Sequence, residues 1–259
     1  MNLNRYYQKL KSILGLSLQL AIAEFKLKNE GSYLGIFWYL LNPILTFIVL
    51  FLVFSDRLGT GIPQYSLYLL SGVIIFNFFQ SATVESVRCI LKDYRLVIKS
   101  INFPIESLIF AIVLKNLFSH FFEVAFFIIF LLFFKISLIG ILYYFIILFF
   151  LLLFVLGVSL ILASLTVYFV DVESIWLFAV RLLWLGTPIF YSIAGQIRLY
   201  YINLFNPMYY FITISRGLII YNKIPDAFII YGAVFYSLAF FFAGILICSA
   251  LKIKFAEKI

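Results

Sequence analysis

Residues 138–169 read LIGILYYFIILFFLLLFVLGVSLILASLTVYF, and no charge falls between Lys135 and Asp171. An α-helix rises about 1.5 Å per residue, so about 20 apolar residues cross a hydrocarbon core of about 30 Å. The run is too long for one upright crossing. It is too short for two, and no turn-forming cluster interrupts it. It reads as a single long helix, tilted or protruding, with Gly157 as the place for a bend.

Around this run the same pattern repeats. Apolar segments at 34–54, 65–83, 107–134, 175–193 and 227–251 bring the expected number of spans to six. The whole chain has 259 residues, 65% hydrophobic and 12% charged, with mean hydropathy +1.14. Soluble domains carry about 25% charged residues and must cover their outside with polar groups. A soluble enzyme, a disordered scaffold and a disulfide framework are thereby excluded. The fold class is an all-α membrane protein, with 34–251 as one transmembrane domain and 252–259 as a tail.

Basic residues orient the spans. Twelve lie in the N-terminal segment, the connection after the second span and the C-terminal tail, against five on the opposite side. Both termini are expected in the cytoplasm. The net charge of +8 then meets anionic lipid rather than nucleic acid. Residues 5–23 resemble a signal peptide ending at Ala21-Ile22-Ala23, but cleavage there would reverse every later span. Ser12, Gln19 and Lys26 instead make a polar stripe opposite Leu10, Ile13, Leu14, Leu18, Ala21, Ile22 and Phe25. That pattern predicts an amphipathic helix within 1–33 lying in the membrane interface.

Residues 194–226 are apolar but broken at Asn206-Pro207. A seventh span here would export the basic tail, so two short re-entrant helices at about 195–222 are expected. Irregular backbone at that depth survives only where protein or a wet cavity satisfies it, which makes the segment a candidate gate.

Catalytic chemistry is not evident. The chain holds no G-x-x-x-x-G-K-[ST] phosphate loop, so it does not hydrolyse ATP itself. Gly157-Val158-Ser159 lies in an apolar helix with no histidine nearby in the chain, a packing site rather than a nucleophile elbow. One histidine, His120, excludes a multi-histidine metal site, and Cys89 and Cys248 make no framework. No catalytic residue and no metal site are assigned. Lys115, His120 and Glu123 in the third span allow two readings: a polar patch lining a conduit, or an interhelical hydrogen-bonded pair with Lys115 snorkelling to the interface. Arg181 pairing with Asp171 or Glu173 is a further expectation.

Two patterns point to transport. The connection after the second span, about 91–103, mixes charge with apolar residues, and Leu91, Tyr94, Arg95 and Ile98 share a helical face. A merely solvated loop does not need Leu96, Val97 and Ile98 beside Lys99, so a stub helix docking on a cytoplasmic partner is expected. Aromatic residues form the other pattern. Most serve as lipid-facing filler or an interfacial belt. Trp38, Tyr39 and Asn42, and Trp184, Pro188 and Tyr191, recur at three or four residues. With Tyr200 and Tyr201 these stripes suit a route for sugar, whose C–H faces stack on rings loosely enough to slide.

These pieces, in this order, resemble the permease subunit of type-2 ABC exporters, in the branch that exports O-antigen, capsule or teichoic acid. The matching residues are Gly35-Ile36-Phe37-Trp38-Tyr39-Leu40-Leu41-Asn42-Pro43, Arg95-Leu96-Val97-Ile98-Lys99 with Phe103-Pro104, Thr187-Pro188-Ile189-Phe190-Tyr191, and Asn206-Pro207 with Arg216-Gly217. In that family an arginine commonly precedes the aspartate before the fifth span, where this chain has Val170. The resemblance implies a homodimer with two copies of a cytoplasmic nucleotide-binding subunit, which would bind the ATP and Mg²⁺; no cofactor is expected on this chain. Tyr94, Arg95, Leu96, Ile98 and Lys99 would form the coupling helix. The first and fifth spans would line the conduit, and Asn206, Pro207 and Arg216 would belong to the outer gate. The substrate implied is an undecaprenyl-linked polysaccharide moved outward across the inner membrane. Rival readings are an exporter of a drug or lipid, with less stacking along its route, and a membrane enzyme of glycan assembly, which needs carboxylates less scattered than Glu30, Glu85 and Glu106.

Overall fold

A computed structural model describes residues 2–29, 35, 37–90 and 104–251, and among them every regular element is helical. In chain order these are α1 (Asn2–Asn29), α2 (Phe37–Leu58), α3 (Tyr65–Arg88), α4 (Ile105–Phe133), α5 (Ile139–Thr166), α6 (Val172–Gly186), α7 (Ile197–Leu204), α8 (Pro207–Ile219) and α9 (Ala227–Leu251). Five of the described helices are long and apolar enough to cross a membrane: α3, α4, α5, α9 and the 40–58 part of α2. The expected coupling residues Tyr94, Arg95, Leu96, Ile98 and Lys99, and the tail 252–259, lie outside the described residues.

The long apolar run is one unbroken helix, α5. Gly157 serves contact rather than a bend. A Cβ there would sit 2.3 Å from the Phe240 backbone, and one on Gly244 would sit 2.6 Å from the Gly157 carbonyl. α5 and α9 therefore meet backbone to backbone, as small residues permit in apolar surroundings.

The expected fifth span, 175–193, is shorter than its apolar composition implied. α6 has 15 residues and stops at Gly186. Pro188 explains the stop: its ring forces the preceding residue out of helical geometry, and Thr187 is extended at φ −81, ψ 137. A helix of 15 residues spans about 22 Å. Residues 187–196 continue without regular structure.

α3 is the hub, packing against α2, α4, α5, α6 and α8. It is buried along most of its length, as is α5. α2 and α9 stand at the periphery, with Leu45, Val49, Leu52 and Val53 exposed on α2 and Phe235, Phe242 and Leu246 on α9. α1 lies along α4, burying Ser17 and Ala21 while Leu14, Leu18 and Ile22 remain exposed. α7 and α8 are two short helices meeting at Asn206-Pro207, as the sequence pattern predicts. The Asn206 side chain accepts from the Met208 N–H at 3.1 Å, and Pro207 occupies the first helical position, where its missing N–H is no loss. Cys89 and Cys248 are buried in one small apolar cluster with Ile109 and Leu160, and no disulfide joins them.

Candidate functional site

Three polar arrangements stand out in this apolar molecule, one at the Tyr65 end of α3, one beside its middle, and one towards Arg88. At the Tyr65 end the irregular stretch after α6 presents four consecutive carbonyls, Pro188 to Tyr191, with no helical partners. Unsatisfied backbone groups in an apolar setting are expensive. Side chains meet all four. Arg216 donates from Nη1 to Pro188 at 2.7 Å and from Nη2 to Ile189 at 2.9 Å. Its Nε and Nη2 also reach the Tyr68 carbonyl, at 3.1 and 2.9 Å. Tyr65 donates its hydroxyl to Phe190 at 2.9 Å, and Tyr68 to Tyr191 at 2.7 Å.

Arg216 is only 4% exposed, and its guanidinium lies 3.3 Å from the centroid of the Tyr68 ring. Planar shape and a fixed fork of donors suit arginine to this work; a lysine offers neither. Gly72 permits the approach, since a Cβ there would lie 2.6 Å from Arg216 Nη2. Asn206 closes the knot from α8, donating to the Thr187 hydroxyl at 2.7 Å. Thus Thr187–Tyr191, Asn206-Pro207 and Arg216, far apart in the chain, form one locked unit.

Beside the middle of α3, an open groove of about 700 Å³ runs between α2, α3 and α6. Asn42 and Thr46 line it from α2, Asn77 and Gln80 from α3, and Arg181 and Trp184 from α6. Asn42 and Trp184, two of the stripe residues, therefore face the same space. Trp38 lies one helical turn from Asn42 and is exposed. The Tyr39 side chain lies outside the described residues. Tyr191 is elsewhere: its hydroxyl donates to the Gly186 carbonyl at 2.7 Å, clasping the turn after α6. Tyr200 lines a cleft beside the knot, and Tyr201 is exposed, its ring centroid 5.8 Å from that of Tyr200.

His120 and Glu123 are buried and enclosed, which favours the packing reading over the conduit reading. His120 Nδ1 lies 3.3 Å from Glu123, and Nε2 lies 2.6 Å from the Tyr144 hydroxyl on α5. Asn77 donates to Glu123, so the groove wall is anchored to this cluster.

Nearer Arg88, Lys115 departs from the expected snorkelling. Its ammonium is buried, 2.8 Å from Glu24 on α1 and 2.9 Å from Glu85 on α3. A cation within a span is held by counter-charges when they are available, and here two converge. Asn116 donates to the same Glu85 at 2.8 Å. The expected pairing of Arg181 with an acid is likewise replaced. Glu173 accepts from Arg88 at 3.0 Å, and Arg181 turns to the groove.

The family model described as ABC-2 type transporter matches residues 17–220. The chain belongs to that family. The matched stretch takes in all three polar arrangements, from Glu24 to Arg216. This ABC-2 transporter chain is also 29% identical over 113 residues to the O-antigen export system permease protein RfbA of Myxococcus xanthus, covering 44% of this chain and 43% of that protein. To the O-antigen export system permease protein RfbA of Klebsiella pneumoniae it is 25% identical over 100 residues, 37% of this chain and 38% of that one. The aligned stretch thus spans less than half the length of these relatives.

Several partners in the ABC-2 chain's polar arrangements escape a reading by motif. Tyr65 and Tyr68 look like an interfacial belt, and only their three-residue spacing on one helical face sets them apart. Asn77 and Gln80 carry the same signal, two amides three apart in an apolar span. Glu24 and Glu85 carry no local signal for their meeting at Lys115.

Proposed function

We propose that this chain is the channel-forming permease subunit of an ATP-driven exporter that moves a lipid-linked polysaccharide, of the O-antigen kind, outward across the inner membrane. It works as a homodimer with two copies of a separate nucleotide-binding subunit, which binds the ATP and Mg²⁺. Both termini face the cytoplasm, so the Arg88 end of α3 is cytoplasmic and the knot lies outward. α1 rides in the interface, and α6 completes the crossing through the residues after Gly186. Residues 91–103 receive the partner's motion through Tyr94, Arg95, Leu96, Ile98 and Lys99. Asn206, Pro207 and Arg216 hold the outer gate on α7 and α8.

One observation carries the reading. A groove open to the outside of the chain, bordered by α2 and α3, both apolar enough to cross a membrane, is walled by Asn42, Asn77, Gln80 and Arg181 together with the ring of Trp184. Asn77 is tied to Glu123, which leaves Asn42 and Gln80 as amides with no use against lipid tails; they exchange hydrogen bonds readily with sugar hydroxyls while the indole stacks on a sugar face. The exposed apolar faces of α2 and α6 flank the groove and suit a second copy closing it into a conduit. Trp38 and Tyr39 extend the α2 side, and Tyr191, Tyr200 and Tyr201 continue the aromatic route towards the outlet.

The test is surface display of the glycan in cells carrying the chain with its ATPase partner. Trp184→Ala combined with Asn42→Ala is expected to lower export about tenfold while membrane abundance stays unchanged. Normal export by the double variant overturns the conduit.

A further inference from the structure

Beside the knot lies a second cleft, of about 560 Å³, whose lining shares no residue with that of the groove. We propose that it is a binding site for a neutral saccharide, a docking place for the exported chain at the gate. The proposal deepens the polysaccharide reading and rests on it for the class of ligand.

The size suits a few sugar rings, since small-molecule sites run from about 300 to 1,000 Å³. The walls are aromatic with polar edges: Tyr200 from α7, Tyr209 from α8, and Tyr221 from the turn that follows. The Tyr221 hydroxyl is anchored on the Pro63 carbonyl at 3.2 Å, which fixes its ring in place. Lys223 and Asp226 stand on the rim, and Ser192 and Thr213 add hydroxyls. The turn bearing the two charges is held by the Lys223 N–H on the Gly217 carbonyl at 2.8 Å.

Charge decides between ligands. Arg216 borders the cleft with no carboxylate partner, but it is only 4% exposed and its guanidinium is turned to the carbonyls of Tyr68, Pro188 and Ile189. The charges exposed on the rim are one cation, Lys223, and one anion, Asp226, three residues apart. That exposed pair favours neither a phosphate nor an ammonium. A polyol uses both: its hydroxyls donate to the carboxylate and accept from the ammonium, while its C–H faces lie on tyrosine rings. A sugar seated here also touches Tyr68 and Pro188, members of the knot, so occupancy is read directly by the gate.

The experiment uses the full chain in nanodiscs and saturation-transfer NMR with neutral trisaccharides of glucose, mannose and galactose, and inorganic phosphate as competitor. Transfer to at least one trisaccharide is expected, undiminished by phosphate. Tyr200→Ala with Asp226→Asn weakens binding about tenfold, Tyr200→Phe keeps it because the ring remains, and the weakening by the double variant persists in a Trp184→Ala background, where stacking in the groove is removed. The proposal falls if no trisaccharide receives transfer, if phosphate displaces it, or if only Trp184→Ala abolishes it. Glycan display separates the two readings. Normal export alongside an empty cleft removes this site and spares the exporter, whereas saccharide binding without any glycan export removes the exporter and spares the site.

Discussion

Arg216 at the Tyr65 end of α3 and Lys115 nearer its Arg88 end are both buried cations in apolar surroundings, yet they are held in opposite ways. Arg216 faces only backbone carbonyls and a ring, and its charge has no carboxylate partner in the knot. Lys115 faces two carboxylates from two other helices. The difference follows from what each must hold. At the knot the chain itself is irregular and supplies acceptors, so a planar donor fork fits four hydrogen bonds at once. Around Lys115 every backbone group is helical, and the problem is to fasten α1 and α3 to α4, which a compact point charge between two acids does. The knot fixes a shape. The ion cluster fixes an arrangement of rods that side-chain motion can release.

The largest effect is expected where the comparison is sharpest. Arg216→Ala leaves the Ile189 carbonyl buried without a donor and the Pro188 carbonyl with only the Tyr68 hydroxyl at 3.3 Å, while the Tyr68 carbonyl keeps the Ser71 hydroxyl. With about 1–3 kcal/mol for an unsatisfied group and a further cost for the cavity left by a buried side chain, a destabilisation of about 4 kcal/mol is expected. The readout is thermal unfolding in detergent, together with protease cleavage within 187–196. Arg216→Lys should rescue only part, because an ammonium cannot span three carbonyls in one plane. Full rescue by lysine would show that charge, and not the planar fork, holds the turn.

A smaller loss is expected from Lys115→Met. It strands Glu24 and Glu85 near each other, and about 2–3 kcal/mol of stability is expected to go with the ammonium. The signature is specific: α1 loosens from α4 and becomes open to proteolysis, while the knot stays intact. Adding Glu24→Gln and Glu85→Gln should restore most of the loss, since a neutral set leaves no uncompensated charge. If the triple variant is as unstable as Lys115→Met, packing of the lysine stem outweighs the charges.

How legible each region was in the sequence tracks the same contrast. The spans showed themselves because uncharged length has one meaning in a bilayer, and α5 came through as one helix for that reason. Asn206-Pro207 announced two short helices because proline and a capping asparagine act locally. The contents of the knot were visible as separate motifs, Thr187–Tyr191, Asn206-Pro207 and Arg216, but their mutual contact was not. It depends on how α3, α6 and α8 cross, and no local pattern encodes a crossing. The sequence overstates α6 because Ile189, Phe190 and Ile193 are as apolar as a helix would be, and Pro188, which ends it, also fits the spacing of a stripe. Glu24, Glu85 and Glu173 were the least legible. A carboxylate states its charge in the sequence, and its partner is settled only by packing.

The weakest link is also the one that most directly probes the division between the two ends. Arg88 and Glu173 join the last turn of α3 to the first turn of α6. Their side chains are 43% and 15% exposed, so solvent screens the pair. Arg88→Ala should lower stability by no more than about 1 kcal/mol, and added salt should lessen the difference from the unmodified chain. The bond nevertheless lies immediately before residues 91–103, where the partner's motion is proposed to enter. Arg88→Ala should therefore reduce export or ATPase stimulation while leaving the melting temperature nearly unchanged. A charge swap, Arg88→Glu with Glu173→Arg, should recover the activity. If the swap recovers nothing although both variants assemble, the Arg88 side chain acts on the partner and the link to α6 is incidental. If instead Arg88→Ala unfolds the protein as Arg216→Ala does, the two ends are not divided into a fixed knot and a releasable clamp.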